Sequence, residues 1–166
     1  LKAVTTINDA PVGKVLSQIF NLNKATVKPV KYLIPFSPSY PGSGEFTLVN
    51  GIQGTTNHSD GEWQAWKGTD MEAIVDLQGA TEISKLSVGT LQSVGSWIFL
   101  PKKVEFFVSE DGQKFQKAGE VVSEANPLSG EKSRKEFTLT INPVKAGFVK
   151  IAVRNFGKGP KGHAAE

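Results

Sequence analysis

No stretch of this chain longer than about ten residues carries apolar side chains at helical spacing. Apolar residues instead recur at every second position in short runs. Phe137, Leu139 and Ile141 alternate with Thr138, Thr140 and Asn142, and Val149, Ile151 and Val153 alternate with Lys150, Ala152 and Arg154. Val104, Phe106 and Val108 repeat the pattern. A period of two matches the pleat of a strand with one face buried. Clusters of Gly, Pro, Asn and Asp interrupt the runs, as in residues 8–13, 37–44 and 110–112. Short strands joined by such turns, with no helices between them, specify an all-β chain folded as a sandwich or jelly roll.

Residues 2–7 read as a strand, and the turn at 8–13 returns the chain through residues 15–20. There Val15, Leu16, Ile19 and Phe20 fit a helical face as well as a hairpin partner; the compact turn and short segment favour the hairpin. Residues 25–35 alternate valine with lysine around Pro29, which suits an edge strand because proline donates nothing to a ladder. Residues 82–92 read as a further strand, residues 95–101 as an aromatic loop, and residues 110–112 as a tight turn leading into Val121 and Val122. After residue 154 the chain is loop-like, and a sandwich ending there leaves an edge uncovered, so the domain is expected to continue past Glu166.

Residues 44–79 organise the rest. An apolar run, Phe46, Thr47, Leu48 and Val49, is expected to be a strand; a polar loop follows at 52–65, and a second strand through Ala73, Val75 and Leu77 is expected to stop at Gly79. The loop carries His58 and Trp63, with Trp66 just beyond it. A long loop held between firm elements is where binding residues concentrate.

The net charge of +3 raises the question of nucleic acid, but seventeen of the nineteen cations are lysines dispersed among sixteen acids. Only Arg134 and Arg154 offer the planar fork suited to phosphate, so no nucleic-acid partner is expected. The absence of cysteine excludes disulfides, thiolate metal sites and a cysteine nucleophile. No run reaches the ~18 apolar residues of a membrane span.

The segments LVNGIQG, EWQAWKGTD, AIVDLQG, SWIFLPKKVEFFVSEDGQKF and FVKIAVRNFGKGPKGH, in that order, resemble the discoidin-like domain, also called the coagulation-factor type C or galactose-binding-like jelly roll. They are most similar to the version appended to bacterial chitobiase-type β-N-acetylhexosaminidases. The resemblance covers residues 23–163 and implies a galactose-binding-like jelly-roll β-sandwich at 23–166. Residues 1–22 resemble the last hairpin of the Ig-like domain that often precedes this module. The family's final tryptophan-containing strand is missing, and Asn50 stands where many members carry Asp.

The hexosaminidase reaction uses an adjacent Asp-Glu pair, and this chain contains no such dipeptide. It also lacks a nucleophile elbow, a phosphate-binding glycine loop and a His-x-x-x-His spacing, so the chain reads as non-catalytic. Sugar binding fits better, because a pyranose presents a C–H face that stacks on aromatic rings and hydroxyls that need fixed partners. Trp63, Trp66 and Trp97 are the candidate rings, Trp66 being the one expected in the core. His58, Arg154, Asn155 and His163 are the candidate hydroxyl partners. Arg154 has a plainer alternative, pairing with a carboxylate. One stacked ring with a few hydroxyl contacts implies dissociation constants near ~0.1–1 mM.

The resemblance further implies a structural Ca²⁺ under the first long loop, with Asn50 and Thr55 at the matching positions. It implies glycans and the catalytic domain of a parent glycoside hydrolase as partners, in a secreted, periplasmic or cell-surface bacterial setting. Two other roles fit the same residues: a spacer packed on that catalytic domain, and an adhesion or lipid-binding module using the Trp97 to Phe99 loop.

Overall fold

A computed structural model describes residues 1–124 and 131–157. Among these residues there are seven strands, one 3-10 turn at Val94–Ser96 and no α-helix. Among the described residues no helix is long and apolar enough to cross a membrane. The strands are β1 (Lys2–Ile7), β2 (Ala10–Ser17), β3 (Val30–Tyr32), β4 (Met71–Gln92), β5 (Lys103–Ser109), β6 (Gln116–Val122) and β7 (Ser133–Arg154). They form a separate β1-β2 hairpin and an antiparallel sheet in the order β3-β4-β7-β5-β6.

The sandwich is made by bending one long ladder. β4 and β7 are 22 residues each and pair along most of their length. Gly79 does not stop β4, as expected from the sequence; it sits in a bulge. Asp76 pairs with Phe148 and Thr81 with Ala146, so four residues of β4 oppose Gly147 alone. Gln78 (φ 59°) and Gly79 (φ 145°) supply the backbone for the kink. A second shift falls between Ile83 and Lys85, opposite Pro143, where a missing N–H costs no ladder bond. The two runs around Phe137 and Val149, which read as separate strands, are therefore the two limbs of β7.

Beyond the bend, the outer limbs fold back over the sheet. Ile83, Leu86 and Phe137 from those limbs join Val104, Phe106, Val149 and Ile151 in one buried cluster. The layers are close: a Cβ on Gly119 of β6 would lie 2.8 Å from Leu139 Cδ2. Phe106 and Phe137 are completely enclosed. This is the expected jelly-roll β-sandwich.

Three local expectations change. The turn of the first hairpin is two residues, Asn8 and Asp9, both at positive φ as a type I′ turn requires, and β2 begins at Ala10, before the expected residue 15. Residues 46–49 are a run of turns rather than a strand: Thr47 N donates to Gly44 O (3.1 Å) and Val49 N to Phe46 O (2.8 Å). The Thr47 hydroxyl, bonded to Gly44 O at 2.7 Å, holds that curl. β3 keeps only Val30–Tyr32 of the expected edge strand, pairing solely with β4.

Registers fix where the loops emerge. Met71 opposes Val153, while Lys103 opposes both Arg154 and Val122. The start of β4, the start of β5 and the ends of β6 and β7 thus share one edge of the sheet. The loops at 33–70 and 93–102 and the exit after Arg154 all lie on this rim.

Candidate functional site

Trp97 is the most exposed aromatic ring of the rim, at 58%. The 3-10 turn Val94–Ser96 positions it: Trp97 caps that turn in the left-handed region (φ 61°, ψ 30°), with its N–H on Val94 O at 2.9 Å. The bridge between Ser93 and Ile98 closes the loop beneath it. A bulky residue in this conformation is uncommon and costs of order ~1 kcal/mol or more. Phe99, two residues on, packs on Phe156 with ring centroids 5.8 Å apart, joining the Trp97 loop to the exit from β7. Lys102 N donates to Arg154 O at 2.9 Å. Its ammonium lies where Gly157 lacks a side chain, 3.3 Å from an ideal Cβ there.

Arg154 makes the carboxylate pairing that stood as its plainer alternative. Its Nε donates to Glu105 Oε2 at 2.6 Å, and its Nη1 to Asp70 Oδ2 and Glu72 Oε1, each at 3.0 Å. Glu105 also accepts from Lys117 (2.8 Å) and Lys103 (3.3 Å), and both lysines reach Glu120. Lys117 and Arg154, with Lys103, hold the buried Glu105 carboxyl at about 2, and Glu105 in turn raises Arg154 above its ordinary value. The network roofs Ala152, which was expected to face water and is 1% exposed.

Asn155 is also occupied. Its backbone N–H donates to Asp70 Oδ1 at 2.8 Å, its Nδ2 to Thr69 O at 3.1 Å, and its Oδ1 accepts Gly157 N at 2.7 Å. That backbone bond, with Arg154, lowers the Asp70 pKa. Arg154 and Asn155 brace the rim rather than presenting idle donors to it.

The loop at 52–65 is closed by its own polar side chains. Asp60 accepts Thr55 N (2.6 Å) and Thr55 Oγ1 (2.8 Å) through Oδ2, and Glu62 N (2.9 Å) through Oδ1. Trp63 donates Nε1 to Thr55 O at 3.0 Å, and its half-buried ring lies against Gly54, where a Cβ would come within 2.4 Å. His58 is half-buried, and its Nδ1 is enclosed without a hydrogen-bond partner. Trp66 packs with Tyr32 and Phe36 against the core and donates Nε1 to Ile34 O at 2.9 Å, as expected for a core ring. His163 lies outside the described residues.

Asn50 and Thr55 do not fit calcium as placed. Asn50 accepts Ile52 N through Oδ1 and turns its amide N–H₂ toward Glu62 Oε2 (2.7 Å) and Ser43 Oγ (2.9 Å). Thr55 Oγ1 gives its proton to Asp60 and accepts Asn57 N. Calcium needs six or more converging oxygens, and here an amide donor and a shared hydroxyl stand instead. Among the described residues, no three His, Asp or Glu side chains gather as a metal site.

Sequence reading missed the Phe99–Phe156 pair and the ionic network. The alternation of Lys103 and Glu105 with Val104 and Phe106 was its local signal, because the remaining partners come from three other stretches of the chain.

The chain is thus a jelly roll with three loop segments on one rim and an exposed ring among them. Residues 36–166 match the family model of the F5/8 type C domain, and the chain belongs to that family. No curated protein matches it in sequence. Among solved structures, chitosan-binding module 1 of a chitosanase/glucanase from Paenibacillus sp. IK-5 is 11% identical, with 81% of this chain and 87% of that one covered and a TM-score of 0.54. Module 2 of the same enzyme, solved in complex with chitotriose, is 13% identical over 80% and 88%, with a TM-score of 0.50. A GH29 fucosidase from Ruminococcus gnavus, in complex with fucose, is 11% identical with a TM-score of 0.55; 83% of this chain covers 24% of that one. At these identities the likeness is one of fold.

Proposed function

We propose that the chain is a non-catalytic carbohydrate-binding accessory module of a secreted bacterial glycoside hydrolase, a β-N-acetylhexosaminidase of the chitobiase type. It takes terminal galactose- or N-acetylhexosamine-type sugars weakly at the rim. The observation that carries this reading is Trp97, an exposed indole held in a strained left-handed conformation beside the Phe99–Phe156 pair. Strain of this kind is kept where it serves a contact. Family membership and the chitosan-binding modules of similar fold support it.

In this reading the sugar's C–H face stacks on Trp97, and the Lys102 ammonium, beside the Asn155 loop, meets its hydroxyls. Arg154 acts through Asp70 by holding that loop, while Trp63 and His58 shape the neighbouring one. Affinity near ~0.1–1 mM serves a module tethered to its catalytic domain through effective concentration. The test is titration of the protein with N-acetylglucosamine, N-acetylgalactosamine and galactose, followed by tryptophan fluorescence. A saturable change lost in Trp97→Ala supports the reading, and no response to any of the three sinks it.

One observation favours a spacer instead. Both strands of the β1-β2 hairpin are exposed at every residue, with Ile7 at 61% and Leu16 at 72%. Apolar surface of that kind suits packing on another domain. Weak acrylamide quenching of Trp97 in the intact parent enzyme would favour the spacer.

A further inference from the structure

We propose a second small-ligand site, for a single pyranose, on the outer face of the five-stranded sheet at the end away from the loop rim. A cleft of about 290 Å³ lies there, lined by Pro29, Lys31, Ile74, Asp76, Gly112 and Phe148. Its floor follows from register. Lys31 opposes Ile74, and Asp76 opposes Phe148, so these four side chains point to one face in adjacent rows. This is the face opposite the buried Ala73, Val75 and Leu77, and among the described residues no second layer of strands covers it.

The wall is preorganised. Asp111 Oδ1 accepts Gln113 N (2.8 Å), Lys114 N (2.9 Å) and the Ser109 hydroxyl (3.0 Å), which fixes the turn after β5. Gly112, at φ 72°, then sits against the Phe148 ring, where a Cβ would be 3.1 Å from it. On the far side, Asp76 N donates to Pro29 O at 3.0 Å, tying the β3 entry to β4. Asp76 uses Oδ1 to accept Gln78 N at 2.7 Å, and its Oδ2 accepts no hydrogen bond from the described residues.

An apolar floor of Ile74 and Phe148 with a carboxylate acceptor and an ammonium donor at its margins suits a ring with a C–H face and hydroxyls around its edge. The volume is at the small end of ligand sites, which suits one sugar ring rather than a chain. The site is separate from the Trp97 rim, and it stands or falls independently of the rim reading.

The test is a ¹H–¹⁵N titration of the whole chain with methyl glycosides of galactose, glucose, N-acetylglucosamine and N-acetylgalactosamine, taken to ~50 mM, above the ~1–10 mM range such contacts allow. Saturable shifts of the Ile74, Gly112 and Phe148 amides are expected. Asp76→Asn keeps the bond to Gln78 N and should weaken them about tenfold, the worth of one charged hydrogen bond. Lys31→Ala, on the exposed edge strand, should weaken them less. Trp97→Ala should leave them unchanged. Silent floor amides with every sugar, indifference to Asp76→Asn, or loss of the floor shifts in Trp97→Ala would each overturn the proposal.

Discussion

Arg154, the last residue of β7, donates its Nε to Glu105 of β5 at 2.6 Å, on the solvent side of the sheet. Glu105 is only 7% exposed, with Lys103, Lys117 and Arg154 around its carboxylate. The network contains four carboxylates (Asp70, Glu72, Glu105, Glu120) and three cations (Lys103, Lys117, Arg154). Arg154 alone reaches Asp70 and Glu72 among them, so it ties the rim loop to the sheet.

Removing either partner is therefore unequal. Without Glu105, three carboxylates face three cations and the remainder rebalances. Without Arg154, four carboxylates share two lysines, and Asp70 and Glu72 lose their cation. Arg154→Ala should cost about 2–4 kcal/mol and Glu105→Ala about half that, both discounted from a fully buried pair because the guanidinium is partly solvated. Urea unfolding of the two single variants and the double variant measures this. Equal losses, or a coupling near zero, would count against Arg154 as the tie.

Acid should dismantle the same network. The folded Glu105 carboxyl is held at about 2 against an ordinary 4.5, chiefly by Lys117 and then Arg154. Folded protein binds that proton more weakly than unfolded chain does, so the stabilisation is complete above about pH 4.5 and is lost as pH falls toward 2. Asp70, lowered by Asn155 N and Arg154, adds in the same direction. Thermal melts from pH 7 to 2 should show the Tm falling mainly below 4.5. Glu105→Gln should start lower at pH 7 and fall less steeply across that window.

The alternating patterns of β5 and of both limbs of β7 were legible because period two survives wherever one face is buried. What did not show was the continuity of β4 through Gly79. Local chemistry marks a glycine as a stop, but pairing with β7 on both sides of the bulge carries the strand across. Residues 46–49 failed for the opposite reason: apolar enough for a strand, they are curled by the Thr47 hydroxyl and by the positive φ of Gly42 and Gly44. The sites divide in the same way. Trp97 could be placed on a loop from its neighbours, whereas the engagement of Arg154 depends on residues 49 to 84 positions distant.

Gly54 should prove intolerant of any side chain. A Cβ there falls 2.4 Å from Trp63 Cε2 and 2.5 Å from its Nε1, so the indole must leave both Gly54 and its bond to Thr55 O. Gly54→Ala should cost about 1–3 kcal/mol through overpacking. It should also red-shift tryptophan emission as Trp63 enters water, and an unchanged spectrum with an unchanged Tm would refute the packing. Gly61→Ala in the same loop is the control. Its φ is positive, at 88°, unlike that of Gly54, but no atom lies within 4 Å of its missing Cβ, so it should lose stability through backbone strain alone, without the spectral change.

The hairpin should be dispensable to the module it precedes. All fourteen residues of β1 and β2 are exposed, and their strands pair only with each other. The link to the sandwich is made just past them, by Asn21 N on Gly51 O at 2.6 Å. An isolated two-stranded hairpin is marginal in water, so it contributes little cooperative stability of its own. Deleting residues 1–20 while keeping Asn21 should leave the Tm within about 2 °C of the whole chain, the shift expected for less than ~0.5 kcal/mol in a domain of this size. Deleting residues 1–22 removes the Asn21 bond as well and should lower it further. A large loss already at residue 20 would mean that the hairpin packs on the sandwich after all, and that the exposed faces of Ile7 and Leu16 are not held open for another domain.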